Sequence, residues 1–400
     1  MSYVSLASTS LGVFMAPLQQ EFGWSRAEIS AGLTISAMVS TPLSPFSGAL
    51  ADRFGARRIA IPGMVLAIMA FAAISLVNAS IYSWLFAWFF LSLVTLLTKT
   101  PVWATAVSGA FSASRGLAIA VVLSGLGLAQ TLSPVIARLL IDGFGWRGGY
   151  IGLAFGWGSV TLLVVWLFFF DMYGRRAKAP PGSPDRQLPG GLTLRQALRD
   201  SRMQRITFAI SVQAVMGAAA MSHLVPILEW SHMSRAGAAG IAAILGIASI
   251  SGKLLAGWLA DLVRRSLLPA ACFALPGFGY VLLLRGAEST ALLSAGVFLI
   301  GLGSGAAYHM TTFLTVQYGG VRHNGKIFGV MTGLLGLAGG IGPLIAGLIF
   351  DATDGYYLLL IAGLPFSLAA GAAVLTLGPY PVFEASTEDE TPIGSPVSMT

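Results

Sequence analysis

The stretch Gly48-Ala-Leu-Ala-Asp52-Arg53-Phe-Gly55-Ala-Arg57-Arg58 decides the fold, because the chain carries a second, degenerate copy of it. The copy is Gly257-Trp-Leu-Ala-Asp261-Leu-Val-Arg264-Arg265, which begins 209 residues later and lacks the internal glycine. The same offset relates Asp142 to Asp351. Aspartate is scarce here, so two coincident aspartate pairs indicate an internal duplication. Other matches at this offset are Ser25-Arg26-Ala27 with Ser234-Arg235-Ala236, Gly116 with Gly325, and Pro134 with Pro343.

The composition excludes a water-soluble globular domain. Of the 400 residues, 56% are hydrophobic and 10% are charged, whereas about 25% of the residues in an ordinary soluble domain are charged. The single cysteine, Cys272, excludes an intramolecular disulfide and a cysteine-based metal cluster. The sequence has no zinc-ligand spacing, phosphate loop or Ser/His/Asp constellation. We therefore expect no cofactor, no metal site and no enzyme activity.

Long apolar runs predict twelve transmembrane helices, since about 20 apolar residues cross a bilayer. The alternation typical of a membrane barrel is missing from the sequence, so the predicted fold class is all-α and polytopic. The first run lacks the charged start and cleavage site of a secretory signal, and we expect it to be retained. The runs lie near 2–19, 28–50, 59–78, 82–110, 116–141, 149–170, 206–229, 236–259, 267–284, 288–317, 328–350 and 356–377.

The placement of the 23 lysines and arginines predicts the orientation, because cytoplasmic loops are enriched in them. With both termini in the cytoplasm, the outward loops hold four basic residues: Arg26, Arg147, Arg235 and Arg285. The basic charge therefore retains loops in the cytoplasm and does not form a nucleic-acid surface. The inward loops hold sixteen, namely Arg53, Arg57, Arg58, Arg115, eight residues from Arg175 to Arg205, Arg264, Arg265, Arg322 and Lys326.

The duplication and the spans predict four regions. They are an N-terminal six-helix bundle at 1–170, a cytoplasmic central loop at 171–205, a C-terminal six-helix bundle at 206–378 and a flexible cytoplasmic tail at 379–400. Leucines and arginines at Thr193–Arg205 favour an interfacial helix in the central loop. Because six is an even number, the bundles share one orientation, and transporters built this way bind substrate near mid-membrane between the halves.

Residues 48–58 and their copy resemble the loop between helices 2 and 3 of the major facilitator superfamily, and the resemblance covers essentially the whole chain. It implies two pseudo-symmetric six-helix bundles that work by alternating access. It also implies that this loop latches one conformational state rather than binding substrate. Gly48 and Gly257 let helices approach closely, and Asp52 can face a helix N-terminus. The other residues of this implied latch are Arg53, Arg57, Arg58, Asp261, Arg264 and Arg265.

Two further stretches resemble the branch that contains monocarboxylate transporters and bacterial oxalate/formate antiporters. Glu21-Phe-Gly-Trp24-Ser-Arg26-Ala is similar to their segment after helix 1. Arg115-Gly-Leu-Ala118, which continues to Pro134 and Gly145-Trp146-Arg147, is similar to their helix 4–5 signature. The animal pattern has an aromatic and extra basic residues before that arginine, and this chain departs from it.

Lys253 and Lys99 are the lysines inside predicted spans. A charge at mid-bilayer costs about 2.5–3.5 kcal/mol on insertion scales, so each is a functional hypothesis. In the resembled branch, the position four before the equivalent of Gly257 holds an arginine that binds the substrate carboxylate. Lys253 keeps that charge but loses the bidentate geometry, and Ser249 stands where animal members have an aspartate. The alternative is that Lys253 extends to the cytoplasmic interface.

Lys99 lies near the middle of the fourth span, and its partner at the offset of 209 is Tyr308, next to His309. Polar residues at matched positions are what a site on the pseudo-twofold axis requires. We expect Lys253, Lys99, Tyr308 and His309 to form the substrate site, with Tyr308 or His309, not both, pointing straight into it. His309 is the candidate for proton coupling, because histidine titrates near neutral pH. The alternative for Lys99 is hydrogen bonding to neighbouring carbonyls or hydroxyls, such as those of Thr95 or Thr98.

These residues favour a secondary active transporter of a small organic anion, foremost a monocarboxylate, by proton symport or anion exchange. Its partners would be that anion, protons or a counter-anion, and the bilayer of a cell membrane (the inner membrane in a bacterium). A proton-driven exporter of drugs or metabolites is an alternative, but Ser124–Pro134 does not match the Gly-Pro-x-x-Gly-Gly motif of such exporters. A non-transporting membrane sensor is an alternative of another class. Arg138 and His223 stay ambiguous between ligands and interfacial polar residues.

Overall fold

The computed structural model describes residues 2–98, 115–169, 191–262, 266–286, 289–320 and 324–381. These residues form helices joined by short turns and contain no β-sheet, although one isolated bridge joins Gly191 and Gly320. A helix satisfies its backbone hydrogen bonds within the segment, as a chain surrounded by lipid must. The predicted all-α class is confirmed.

The N-terminal half forms α1 (Ser2–Phe22), α2 (Arg26–Phe54), α3 (Ala56–Ala73), α4 (Ile81–Thr95), α5 (Arg115–Gly152) and α6 (Gly158–Phe168). The helix α5 bends at Gly145, whose φ of 70° is a conformation that glycine adopts at little cost. A π-helical turn, Leu153–Trp157, joins α5 to α6. The sequence predicts a break between the fifth and sixth spans, and the structure has a kinked but nearly continuous helix there.

The C-terminal half forms six long helices, preceded by one short helix, α7 (Leu194–Arg199). The long helices are α8 (Ser201–Trp230), α9 (Arg235–Leu262), α10 (Leu267–Arg285), α11 (Thr290–Gly319), α12 (Asn324–Thr353) and α13 (Tyr357–Leu375).

Nine helices in the described residues are long and apolar enough to cross a membrane. Two features account for the difference from the twelve predicted spans. The fifth and sixth spans join in one apolar segment, Gly125–Phe168. The helices α1 and α2 have 21 and 29 residues, but serine, threonine and charged residues make them less apolar. Each of the twelve predicted runs overlaps a helix.

The interfacial helix predicted at Thr193–Arg205 ends earlier, and this prediction was wrong in its extent. The helix α7 stops at Arg199. The side chain of Asp200 then accepts hydrogen bonds from the backbone N–H groups of Arg202 and Met203. An aspartate in this position satisfies the first N–H groups of a new helix. The basic residues after Asp200 therefore belong to α8, which begins at Ser201, five residues before the predicted span.

The two halves meet along three pairs of helices, α2 with α12, α5 with α9 and α1 with α8. Buried apolar side chains of both halves, among them Phe14 and Leu224, belong to one continuous core. We call the end of the molecule at which α2 begins the Arg26 end and the opposite end the Arg53 end. At the Arg53 end, α2 turns into α3 at Gly55, whose φ of 92° favours glycine.

Candidate functional site

A central cavity of about 370 Å³ lies between the two halves, a volume suited to a small molecule. Its walls come from α1, α5, α8, α9, α11 and α12 and are mostly aliphatic, with a few hydroxyl and amide groups. The lining residues are Ser5, Leu126, Gln130, Ile210, Gln213, Ala214, Gly217, Ala218, Met221, Leu245, Ser249, Lys253, Ile300, Gly301, Ser304, Tyr308, Thr311, Leu335 and Gly339.

The lining of the central cavity follows the internal duplication. Residues at equivalent positions of two repeats line the same cavity when that cavity lies on the axis relating the repeats. Three such pairs line the central cavity. The pairs at the offset of 209 are Leu126 with Leu335, Gln130 with Gly339, and Ser5 with Ala214.

Lys253 supplies the positive charge of the central cavity. It is the only lysine or arginine among the lining residues of the described chain, and none of these residues is an aspartate or glutamate. Its Nζ lies 5.6 Å from the centre of the Tyr308 ring, within the range of about 6 Å for a cation–π contact. The lysine and tyrosine that the sequence predicts for the site are thus neighbours, and the ammonium faces the cavity without a carboxylate in its lining.

Close packing of α9 on α11 brings Lys253 to Tyr308. A Cβ at Gly252 would lie 2.0 Å from the carbonyl oxygen of Leu302, and one at Gly305 would lie 2.1 Å from that of Ser249. A methyl group cannot approach a carbonyl oxygen so closely. Glycine at these positions therefore allows the two helix backbones to touch next to the site.

The other predicted site residues differ in where they lie. His309 is directed to α9, where its Cε1 and Nε2 would each be 3.4 Å from a Cβ at Gly257, and it is not among the lining residues. Of the adjacent pair, Tyr308 is thus the residue that faces the central cavity. Lys99 lies outside the described residues.

The arginines of the implied latch, at the turn between α2 and α3, differ in their contacts. Arg57 donates a hydrogen bond of 2.8 Å from Nη2 to the carbonyl oxygen of Trp166, near the end of α6. The guanidinium of Arg53 lies 5.3 Å from the centre of the Phe54 ring, and Arg58 is exposed. Outside the described part of the chain are Arg264 and Arg265, as well as the side-chain surroundings of Gly48, Asp52 and Asp261.

Two glutamines of the cavity were missed by sequence reasoning. Gln130 donates from Nε2 to the Sδ of Met221 at 3.2 Å, a contact between the two halves. Gln213 donates from Nε2 to the Oγ of Ser304 at 3.0 Å. An uncharged amide inside an apolar run was the available signal, because polar groups in membrane helices face other helices or a cavity.

The ambiguous residues Arg138 and His223 are also resolved. Arg138 forms an ion pair with Asp142, one turn further along α5. His223 is fully buried and contacts Tyr356, Ser30 and Pro343 rather than the headgroup region that the sequence allowed.

Comparison with known proteins identifies relatives along most of the chain. The model of the family described as Major Facilitator Superfamily matches residues 2–316 and, in a second match, residues 224–397. "Monocarboxylate transporter 11" of Homo sapiens is 28% identical over 361 residues, which cover 87% of this chain and 74% of the human protein. "Uncharacterized MFS-type transporter YcxA" of Bacillus subtilis (strain 168) is 27% identical over 387 residues, 93% of this chain and 90% of that protein.

A solved structure shares the fold. It is that of a bacterial homologue of the human lysosomal transporter Spinster in an inward-facing and occupied conformation. It superimposes with a TM-score of 0.68 at 16% sequence identity, covering 94% of this chain and 92% of that chain. At this identity the likeness concerns the fold alone.

Proposed function

The chain belongs to the major facilitator superfamily, and on this premise we propose that it is a secondary active transporter of a small organic anion. Membership makes it a multi-pass membrane transporter and not an enzyme. The observation that carries the proposed substrate class is Lys253, a cation at the central cavity whose lining holds no aspartate or glutamate in the described residues. Anion binding satisfies such a charge, and without it a buried ammonium is costly.

A monocarboxylate is the anion that we propose. A carboxylate matches the ammonium of Lys253, and the aliphatic lining suits the hydrocarbon part of the acid. Three relatives are named monocarboxylate transporters, and their alignments cover 87% to 94% of this chain. Their names support this choice.

Lys99 is proposed as a second cation of the same site. It is the partner of Tyr308 at the offset of 209, and three pairs at that offset already line the cavity. If the pairing extends to Lys99, the anion binds between Lys253 of one half and Lys99 of the other. Neutralisation of both charges then lowers the barrier to the change between states that the superfamily's alternating access requires.

The proposed topology has two six-span bundles, 1–170 and 206–378, with both termini and the Arg53 end in the cytoplasm of a cell membrane. The basic residues clustered at the Arg53 end support this orientation. Transport then proceeds by proton symport or anion exchange. His309, close to Gly257, is one candidate proton carrier.

The test of the substrate site replaces Lys253 with methionine, which keeps the length of the side chain and removes its charge. Purified protein is screened by thermal shift against acetate, pyruvate, succinate and benzoate, since a ligand of the folded state raises its apparent stability. Uptake of the radiolabelled acid with the largest shift is then measured in proteoliposomes. Loss of a charged hydrogen bond, worth about 1.5–3 kcal/mol, weakens binding roughly 10- to 150-fold.

Two controls accompany Lys253→Met. Lys253→Arg keeps the charge and should retain measurable uptake. Ser251→Ala changes a half-buried residue of the same helix that does not line the central cavity. Its hydroxyl donates to the carbonyl oxygen of Ile247, one turn earlier, and the variant should transport normally. Undiminished uptake by folded Lys253→Met rejects the proposed role of Lys253.

A further inference from the structure

A chain of hydrogen-bonded polar groups, from the half-buried Arg26 to the buried Tyr356 and His223, joins the two halves at the Arg26 end. Nη1 of Arg26 lies 2.6 Å from the hydroxyl of Tyr356, and this hydroxyl lies 2.7 Å from Nδ1 of His223. Nε2 of His223 lies 3.0 Å from the carbonyl oxygen of Pro343 and 3.0 Å from Oγ of Ser30. We call Arg26, Tyr356, His223 and Pro343 the Arg26–His223 relay. It runs from α2, in the N-terminal half, to α8, α12 and the start of α13, in the C-terminal half.

The relay fixes the hydrogen positions on the His223 ring. A carbonyl oxygen accepts and does not donate, so Nε2 carries the hydrogen that faces Pro343. An arginine donates and does not accept, so the hydroxyl of Tyr356 accepts from Arg26 and is free to donate its own hydrogen to Nδ1. Every donor of the relay then has an acceptor, and His223 is neutral. Full pairing matters because His223 has no exposed surface.

A proton on Nδ1 breaks this pattern. The two N–H groups of an imidazolium both donate, so the hydroxyl of Tyr356 would face two donors and have to turn its own hydrogen away. The new positive charge would also stand one hydroxyl group away from the Arg26 guanidinium. Because the relay is one of the contacts that tie α2 to the C-terminal half, its loss weakens the closure at the Arg26 end.

Other charged groups surround the relay at the Arg26 end. The charges of Asp351, on α12, and Arg26 interact electrostatically with the His223 ring. The charge of Glu229, near the end of α8, interacts in the same way with Tyr356. The sequence of α13 has no charged residue, and the one charged residue of α1, Glu21, is bound by Trp146 and Arg147. The charges of Arg235 on α9 and Arg138 on α5 influence Glu229. Asp142 pairs with Arg138, and Glu28 of α2 accepts a hydrogen bond from the backbone N–H of Ser25, next to Arg26.

We propose that His223 is the proton-binding site of the transporter and that its protonation opens the two halves at the Arg26 end. The proposal rests on the proposed transport function and names its coupling ion. It assigns proton coupling to His223, at the contact between the halves, and not to His309 beside Gly257.

The test measures the separation of the halves and needs no substrate. Spin labels are attached to Ala79→Cys, exposed between α3 and α4, and Thr290→Cys, exposed at the start of α11, in a Cys272→Ser background. Distances are recorded by pulsed electron spin resonance at about pH 8 and about pH 5, on either side of the usual histidine range. We expect the distribution to shift to longer distances at the lower pH.

Four variants separate His223 from other sources of pH dependence. His223→Gln has an amide that can donate to Pro343 and accept from Tyr356 but does not titrate, so it should stay closed at both pH values. His232→Asn replaces an exposed histidine just after α8, and His309→Gln replaces the other candidate; both should keep the response. Tyr356→Phe removes the middle of the relay and should shift the distances at the higher pH already.

The outcomes are decisive in both directions. A pH response that survives in His223→Gln overturns the proposal, and so does a response that disappears in His309→Gln alone. Tyr356→Phe also overturns it if its distances at the higher pH equal those of the closed wild type. If His223→Gln does not fold, Tyr356→Phe decides alone. Normal uptake by Lys253→Met would reject the proposed anion site. It would not change the conclusion about His223, because the distances are measured without an anion substrate.

Discussion

The absence of a side chain at Gly305 allows α9 and α11 to touch beside the site. A Cβ at this position would lie 2.1 Å from the carbonyl oxygen of Ser249, so Gly305→Ala must push α11 away from α9. We expect an overpacking cost of about 1–3 kcal/mol and a lower melting temperature in detergent. Gly240→Ala is the matched control, because nothing lies within 4 Å of a Cβ there. Equal melting temperatures of the two variants would contradict the close packing of α9 on α11.

A site residue could be predicted where its own position in the sequence was unusual. Lys253 and Tyr308 were predictable because each is a polar residue inside an apolar run, and the structure brings them together. His223 was not, because its partners Ser30, Pro343 and Tyr356 are between 120 and 193 residues away in sequence. Only the packing of α8 against α2 and α12 distinguishes a relay from an isolated polar residue.

At the scale of elements, α1 is tied to the bend of α5 by one carboxylate. Oε2 of Glu21 accepts a hydrogen bond of 2.5 Å from Nε1 of Trp146, and Oε1 accepts one of 2.6 Å from Arg147. Glu21 lies beyond the predicted first span, and these donors, Trp146 first, lower the pKa of its carboxyl group. A carboxyl group with a lowered pKa stabilises the fold above its ordinary pKa of 4.5, and this stability is lost as the pH falls through the folded-state value.

Glu21→Gln should therefore lower the melting temperature most at neutral pH and least at acidic pH. The effect should be small, about 0.2–1 kcal/mol, because the side chains of Glu21 and Arg147 are 39% and 47% exposed. Thermal unfolding of both proteins from about pH 2.5 to about pH 8 measures it, because the change falls below the ordinary carboxyl pKa. Combination with Trp146→Phe should add little beyond the single changes. Parallel pH curves for the wild type and Glu21→Gln would show that the tie does not depend on the ionised carboxylate.

The elements themselves were largely predictable, because apolar runs and charge breaks act locally. Prediction was wrong where local signals compete. Gly145 and the residues around it indicate a turn, yet the helix resumes after one left-handed residue. The arginines after Asp200 suit an interfacial helix, but the aspartate starts α8 instead. In both places the outcome depends on packing or capping that the hydrophobic pattern does not contain.

At the scale of the whole molecule, the duplication is not matched by equal contacts at the Arg26 end. Asp351 accepts hydrogen bonds of 3.0 and 2.9 Å from the backbone N–H groups of Arg26 and Ala27, and so caps α2 from the other half. Its counterpart in the repeat, Asp142, pairs instead with Arg138 on its own helix. Asp351→Asn removes a charge from the α2 N-terminus, worth about 1 kcal/mol, and should move the ratio of closed to open states about fivefold towards opening. Spin labels at positions 79 and 290 measure that ratio, and Asp142→Asn is the control supplied by the duplication. Equal shifts in the two variants would mean that Asp142 and Asp351 exchange roles in solution. No shift in either variant would mean that the hydrogen bonds of Asp351 to α2 do not hold the Arg26 end closed.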